Sequence, residues 1–333
     1  MNRRIKIAQI GIGHNHASEK MRTVRALPDL FDVVGVCEPD PAWRASRGGL
    51  DVYQGLSWLE EETLLDTPGL EAVMVETDVW NLTSTARRCI DRGLHVHLDK
   101  PGGEDLAEFT ALLEQARMRR LVLQLAYMYR YNPAITYARE QIRRGELGEL
   151  FAVDAVMSTE HPREYREWLK HFKGGTMYIF GCHLIDLVIG FLGQPLRVIP
   201  YLKQTGDEGV EVPDTTLAVL EYPRGISTVR VSSVEVNGFG RRQVVILGTR
   251  GSIEIKPIER PTAVTFARSV GGNVYCDRKE VVELPPLKGR YDDLMLDFAQ
   301  CVRGEKGNPF GYDHDLLIHK ATLMASGFEG ITW

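Results

Sequence analysis

Short apolar runs alternate with amphipathic stretches through the first third of the chain. Residues 5–10 are an apolar run, followed by Gly11-Ile12-Gly13-His14-Asn15-His16 and a stretch at 17–27 with helical apolar spacing. A second run, 31–37, closes on Glu38-Pro39-Asp40-Pro41. Residues 60–65 then read as helix, 72–75 as strand, 83–92 as a helix stopped by Gly93, and 94–98 as strand. An amphipathic helix at 105–119 and a strand at 121–125 complete the series. Apolar strands separated by helices imply parallel pairing through crossover connections, hence a doubly wound α/β domain over 1–125.

The texture changes after residue 126. Helical spacing returns at 132–144, 176–191, 291–302 and 313–326. Between these lie β-rich runs at 151–157, 197–203, 215–221, 226–234, 243–247 and 252–256, with a Gly248-Thr249-Arg250-Gly251 turn. The pattern predicts a second α/β domain over 126–333, built on a large, mainly antiparallel open sheet with helices on one face. No repeat, long linker or low-complexity tract interrupts it.

Composition narrows the function classes. The chain has 333 residues, 44% hydrophobic and 26% charged, and a formal net charge of −5. Without a basic run, neither nucleic acid nor an anionic membrane is an expected partner. Five cysteines, at 37, 89, 182, 276 and 301, are odd in number and scattered, which argues against a disulfide framework or zinc cluster; no metal is expected. The first residues lack the apolar core of a signal peptide, and no segment has membrane-spanning length without charges. The expected location is the cytoplasm.

Two features carry chemistry. Gly11-x-Gly13 sits where a strand hands over to a helix: the first glycine permits the tight turn, and the second lets the backbone approach a pyrophosphate. The third glycine of the dinucleotide fingerprint is replaced by His16. Glu38, at the end of the second strand, suits the two hydroxyls of an adenosine ribose and repels a 2′-phosphate, favouring NAD over NADP; Arg44 and Arg47 nearby pull the other way. His14 and His16 read either as contacts to phosphate or nicotinamide or as loop packing, with Asn15 as a helix cap. The second feature is Leu94-His-Val-His-Leu-Asp99-Lys100-Pro101, where a lysine follows a buried strand. At that rim a desolvated ammonium is suited to proton chemistry, the alternative being a lysine that snorkels to the surface.

In these motifs the chain resembles the glucose–fructose oxidoreductase, inositol dehydrogenase and rhizopine-catabolism (Gfo/Idh/MocA) family. The likeness rests on Gly-Ile-Gly near the start, Asp99-Lys100-Pro101 in place of Glu-Lys-Pro, and Tyr129-Arg130-Tyr131-Asn132-Pro133. It continues with Gly145-Glu146-Leu147-Gly148, Gly174-Gly175, His183-Leu184-Ile185-Asp186 and Gly248-Thr249-Arg250-Gly251. The resemblance implies an N-terminal Rossmann domain, a C-terminal substrate domain whose open sheet packs against another subunit as a homodimer or homotetramer, and NAD(P)-linked chemistry on a sugar, cyclitol or similar polyol. It also implies catalytic roles for Lys100 and His183, a cofactor contact at Thr77, and a cis peptide before Pro101 in the cofactor region. Arg130, His161 and Trp168 are candidate substrate contacts, with Asp186 one helical turn from His183. Three departures stand out. Ile179 replaces an aspartate four residues before the histidine, Asp78-Val79-Trp80-Asn81-Leu82 follows Thr77, and the third fingerprint glycine is missing. A sugar or polyol dehydrogenase is therefore the leading reading. An NAD-using lyase or glycosidase, or a non-catalytic dinucleotide-binding protein, stands beside it.

Overall fold

Strands β1 (Ile5–Ile10), β2 (Phe31–Cys37), β3 (Ala72–Val75), β4 (His95–Leu98) and β5 (Leu123–Leu125) form a five-stranded sheet in the order β2-β1-β3-β4-β5. Its neighbours are parallel throughout. β3 is buried at every position, as a strand covered on both faces must be, which is why it reads as a continuous apolar run. Helices α1 (Asn15–Ala26), α2 (Pro41–Arg47), α3 (Glu61–Leu65), α4 (Leu82–Asp91) and α5 (Leu106–Met118) connect these strands. Strand order reverses between β1 and β3, and ligands bind in the crevice at such a switch point. The computed structural model describes residues 3–269 and 279–333, so Cys276 lies outside the described residues; the other four cysteines are free thiols.

The second sheet has eight strands. After α6 (Pro133–Arg143) come β6 (Leu150–Ser158), α7 (Arg163–Leu169) and α8 (Cys182–Leu192). The strands β7 (Arg197–Lys203), β8 (Thr215–Tyr222), β9 (Gly225–Ser232), β10 (Gln243–Gly248), β11 (Gly251–Ile255), β12 (Ala263–Arg268) and β13 (Lys279–Glu283) follow. The order is β13-β12-β11-β10-β6-β9-β8-β7, antiparallel except for the β6–β9 pair. Alternation decides the faces. Ala218, Leu220, Val229, Val231, Val244 and Ile246 are buried, while their neighbours Leu217, Val219, Thr228 and Val245 are half-buried on the other face.

The chain divides into Met1–Met128 with Gly289–Leu316, and Tyr129–Lys288 with Leu317–Trp333. Sequence patterning assigns 289–316 to the second domain, whereas α9 (Asp292–Val302) packs in the first. A buried polar chain accounts for this. His97 Nδ1 lies 2.9 Å from Gln124 Oε1, Gln124 Nε2 donates to Asp297 Oδ2 at 3.0 Å, and the His97 ring meets Phe298 edge-on. Patterning also passes over β12, β13 and α7. The last helix, α10 (Tyr312–Ala325), contributes residues to both units.

Candidate active site

In the first unit the glycine turn has the geometry its sequence implies. Gly11 has φ +94°, and a Cβ there would lie 2.4 Å from the backbone of Glu76 and Thr77, so only glycine fits between β1 and the end of β3. Gly13 has a different reason: a Cβ would meet the Trp43 indole at 2.8 Å. Trp43 on α2 lies over the turn, and its indole hydrogen-bonds the Asp78 carboxylate. Glu38 closes the same corner. Its Oε2 accepts from Ile12 N at 2.6 Å and its Oε1 from Asp40 N at 2.8 Å, while burial pushes its carboxyl above the ordinary range. A cleft of about 440 Å³ is lined by Gly13, Glu38, Asp40, Trp43, Thr77 and Asp78. The Thr77 hydroxyl is buried beside it without a protein partner. These residues fit a dinucleotide: a glycine turn at a helix N-terminus, an acid at the end of β2, and an unsatisfied hydroxyl at the end of β3. Arg44 is engaged elsewhere, its guanidinium stacked on Trp58 at 3.7 Å.

The cap of α1 is His14 and not Asn15: His14 Nδ1 accepts from Ala17 N. Nothing is described of the Asn15 side chain. Beneath the loop, patterning misses a buried charge cluster. Lys20, fully buried, donates to Glu76 Oε1 at 2.7 Å and Asp99 Oδ1 at 3.0 Å. Burial alone would lower the Lys20 ammonium, but Asp99 and Glu76 more than reverse that. Two carboxyls around one ammonium cannot both ionise freely. Burial pushes Glu76 up to about 8, and Lys20 and the histidines hold Asp99 well below its usual range. His14 and His16 also face Asp99, and burial pushes His14 down to about 3. The legible signal was on α1: Ala17, Met21 and Val24 mark its buried stripe, and Lys20 falls on it. Lys100 follows Asp99 beyond β4, is 5% exposed, and precedes a cis peptide to Pro101.

In the second unit His183 is 3% exposed on α8, with the Tyr129 ring 5.5 Å away and edge-on. A π turn over Met177–Gly181 leads into α8; such one-residue insertions recur at functional sites. Asp186, a candidate to orient His183, is bound by Arg130, with Nε and Nη2 at 2.9 and 2.7 Å from Oδ1. Both side chains are 1% exposed, so Arg130 is a buried partner of α8. Tyr129 donates to Glu259, which also pairs with Arg242. His161 stacks with Tyr165 and with Phe180, centroids at 4.4 and 4.9 Å, the three rings forming one cluster, and burial lowers its imidazole to about 4. Trp168 continues this aromatic row, against Tyr165 and Phe172. Arg166 is buried against Asp207 and Glu208, so it is committed within the fold. Ile179 is 3% exposed and lies in the core.

Comparison with known proteins agrees with this arrangement. Residues 5–127 match the oxidoreductase family with an NAD-binding Rossmann fold, and 135–254 match the GFO/IDH/MocA C-terminal domain. The chain is 25% identical to scyllo-inositol 2-dehydrogenase (NAD(+)) of Bacillus subtilis, over 98% of this chain and 94% of the relative. It is 32% identical to D-xylose 1-dehydrogenase (NADP(+)) 2 of Haloferax volcanii, over 52% of each chain. Among solved structures, UDP-N-acetylglucosamine 3-dehydrogenase of Acidithiobacillus ferrooxidans superposes with a TM-score of 0.80 over 98% of both chains at 18% identity, a likeness of fold. With both domain models matched, and with the glycine turn and parallel sheet that the first of them requires, the chain belongs to the GFO/IDH/MocA family of NAD(P)-dependent oxidoreductases.

Proposed function

We propose that the protein transfers a hydride between a nicotinamide and a hydroxyl-bearing carbon of a sugar, cyclitol or related polyol. The observation that carries this reading is Lys100, an almost fully buried lysine at the carboxyl end of β4 in a dinucleotide-binding sheet. The names of the relatives, an inositol and a xylose dehydrogenase, support the substrate class. Bound nicotinamide supplies the hydride acceptor. Lys100 hydrogen-bonds the reacting oxygen and stabilises its developing negative charge. His183 takes the hydroxyl proton as general base. NAD is the favoured cofactor, because the Glu38 carboxylate closes the β2 corner and Arg44 is occupied by Trp58.

The test is turnover with NAD⁺ across a panel of cyclitols and aldoses, read as NADH formation, for the wild type and Lys100→Met. The variant is expected to keep NAD binding and lose on the order of a hundredfold in kcat. A fully active variant would make Lys100 structural. NAD binding without turnover of any polyol would support the non-catalytic reading, which buried Ile179 favours, since no carboxylate stands one turn before His183.

We also propose that the half-exposed face of the second sheet packs against a second copy of the chain as a homodimer or homotetramer. Val156, Ile199, Leu217, Val219, Val245 and Leu247 are half-buried along it, on six registered positions of neighbouring strands. Asp154, Thr228, Arg230 and Gln243 stand between these apolar positions, and a mixed face of this kind suits contact with another copy.

A further inference from the structure

The buried cluster beneath the glycine turn has donor spacings that the hydride chemistry does not require. His14 Nε2 and His16 Nδ1 lie 3.5 and 3.4 Å from the same atom, Asp99 Oδ2. One donor atom from each of these three residues falls within 4.8 Å of the other two. Nitrogen and oxygen donors about 2.0–2.2 Å from one tetrahedral ion stand roughly 3.4 Å apart, which matches both measured spacings. Glu76 Oε2 is 3.7 Å from His14 Nε2, beside the same point.

A buried ammonium holds these donors in place. Lys20 binds the other oxygen of each carboxylate, Asp99 Oδ1 at 3.0 Å and Glu76 Oε1 at 2.7 Å. It thereby turns Oδ2 and Oε2 toward the histidines, as outer partners orient ligands in metal centres. The His14 and His16 side chains are 29% and 28% exposed, which gives an ion a route in from solvent.

We propose that His14 Nε2, His16 Nδ1 and Asp99 Oδ2 bind one divalent transition-metal ion of the zinc or cobalt class, with Glu76 Oε2 beside a fourth, open position. Two imidazoles and a carboxylate suit that class, whereas calcium and magnesium take all-oxygen shells. Binding has a local cost. His14 Nδ1 now accepts from Ala17 N at a long 3.3 Å, and a lone pair on Nε2 moves the proton to Nδ1, so the ion replaces a weak helix cap.

The test uses the whole chain, treated with a chelator and then titrated with Co(II) in the absence of any dinucleotide. One ion per chain with the intense visible bands of four-coordinate Co(II) is expected. His14→Ser keeps a capping oxygen but cannot reach the ion, and His16→Gln removes the second nitrogen. Each is expected to weaken Co(II) binding more than tenfold, the lower bound for losing even an outer partner, with an unchanged circular dichroism spectrum. Absent binding, the weak bands of a six-coordinate ion in the wild type, or wild-type affinity in either folded variant would overturn the site. The wild-type spectrum decides the matter even if a variant does not fold. Because no cofactor or turnover enters the measurement, its failure leaves the oxidoreductase reading untouched.

Discussion

At the scale of single residues, the least tolerant position is Lys20, a fully buried ammonium shared by Glu76 and Asp99. Lys20→Met leaves both carboxylates without their counter-charge in a low-dielectric site. The expected loss is about 3–5 kcal/mol of unfolding free energy in urea titration, part of it relieved by protonation of Glu76. A loss near zero would mean that water or an ion replaces the ammonium. Glu38 is a different kind of residue, because its carboxylate faces a cleft as well as two backbone amides. Glu38→Ala is expected to weaken NAD binding and narrow the gap to NADP in titration calorimetry. Tighter NADP binding by the wild type would instead assign the corner to Arg44 or Arg47. The sequence shows Glu38 readily, since it lies next to a recognisable strand and turn. It hides the partners of Lys20, which lie 56 and 79 residues away.

At the scale of elements, the π turn before α8 explains why the missing family aspartate was hard to judge from spacing. Residues four apart share a face on a regular helix, but the turn over Met177–Gly181 changes that register, and Ile179 enters the core. Ile179→Asp therefore buries a carboxylate among apolar neighbours. It is expected to cost several kcal/mol, read as a lower Tm, without gain in rate. An unchanged Tm together with a rate gain would restore position 179 to the catalytic face. The α7 region makes a second case. The resemblance makes His161 a candidate substrate contact, and the structure stacks it with Tyr165 and Phe180. With its imidazole lowered to about 4, the folded protein keeps His161 neutral while the unfolded chain protonates below about 6.5. Its contribution is thus full above 6.5 and is lost as pH falls toward 4. His161→Phe keeps the stack and removes the titration. Its Tm should fall less than that of the wild type between pH 7 and pH 5, although buried His319, lowered to about 3, leaves some slope in both. Equal slopes would show that the imidazole is not protected in the fold.

For the whole molecule, both sheets were legible in outline because strand patterning is local. The first reads as continuous apolar runs and the second as alternation, and the two periods separate a doubly covered sheet from a one-sided one. The return of α9 to the first unit was not legible, because Gln124, His97 and Asp297 pair only in three dimensions. The alternation also sets the last prediction. On β8 the inward positions Ala218 and Leu220 are fully buried, whereas Leu217 and Val219 are only half-buried and lie beside Arg230 and Thr228 of β9. A carboxylate at Val219 therefore stays wet in an isolated chain but is desolvated if a second copy covers the sheet. Val219→Glu should leave the isolated chain folded, with an unchanged circular dichroism spectrum, while splitting the assembly. Light scattering on the eluted protein is expected to give a multiple of 37.5 kDa for the wild type and 37.5 kDa for the variant. A monomeric wild type at micromolar concentration would leave the face without a partner copy. A variant that keeps the wild-type mass would move the interface off β8.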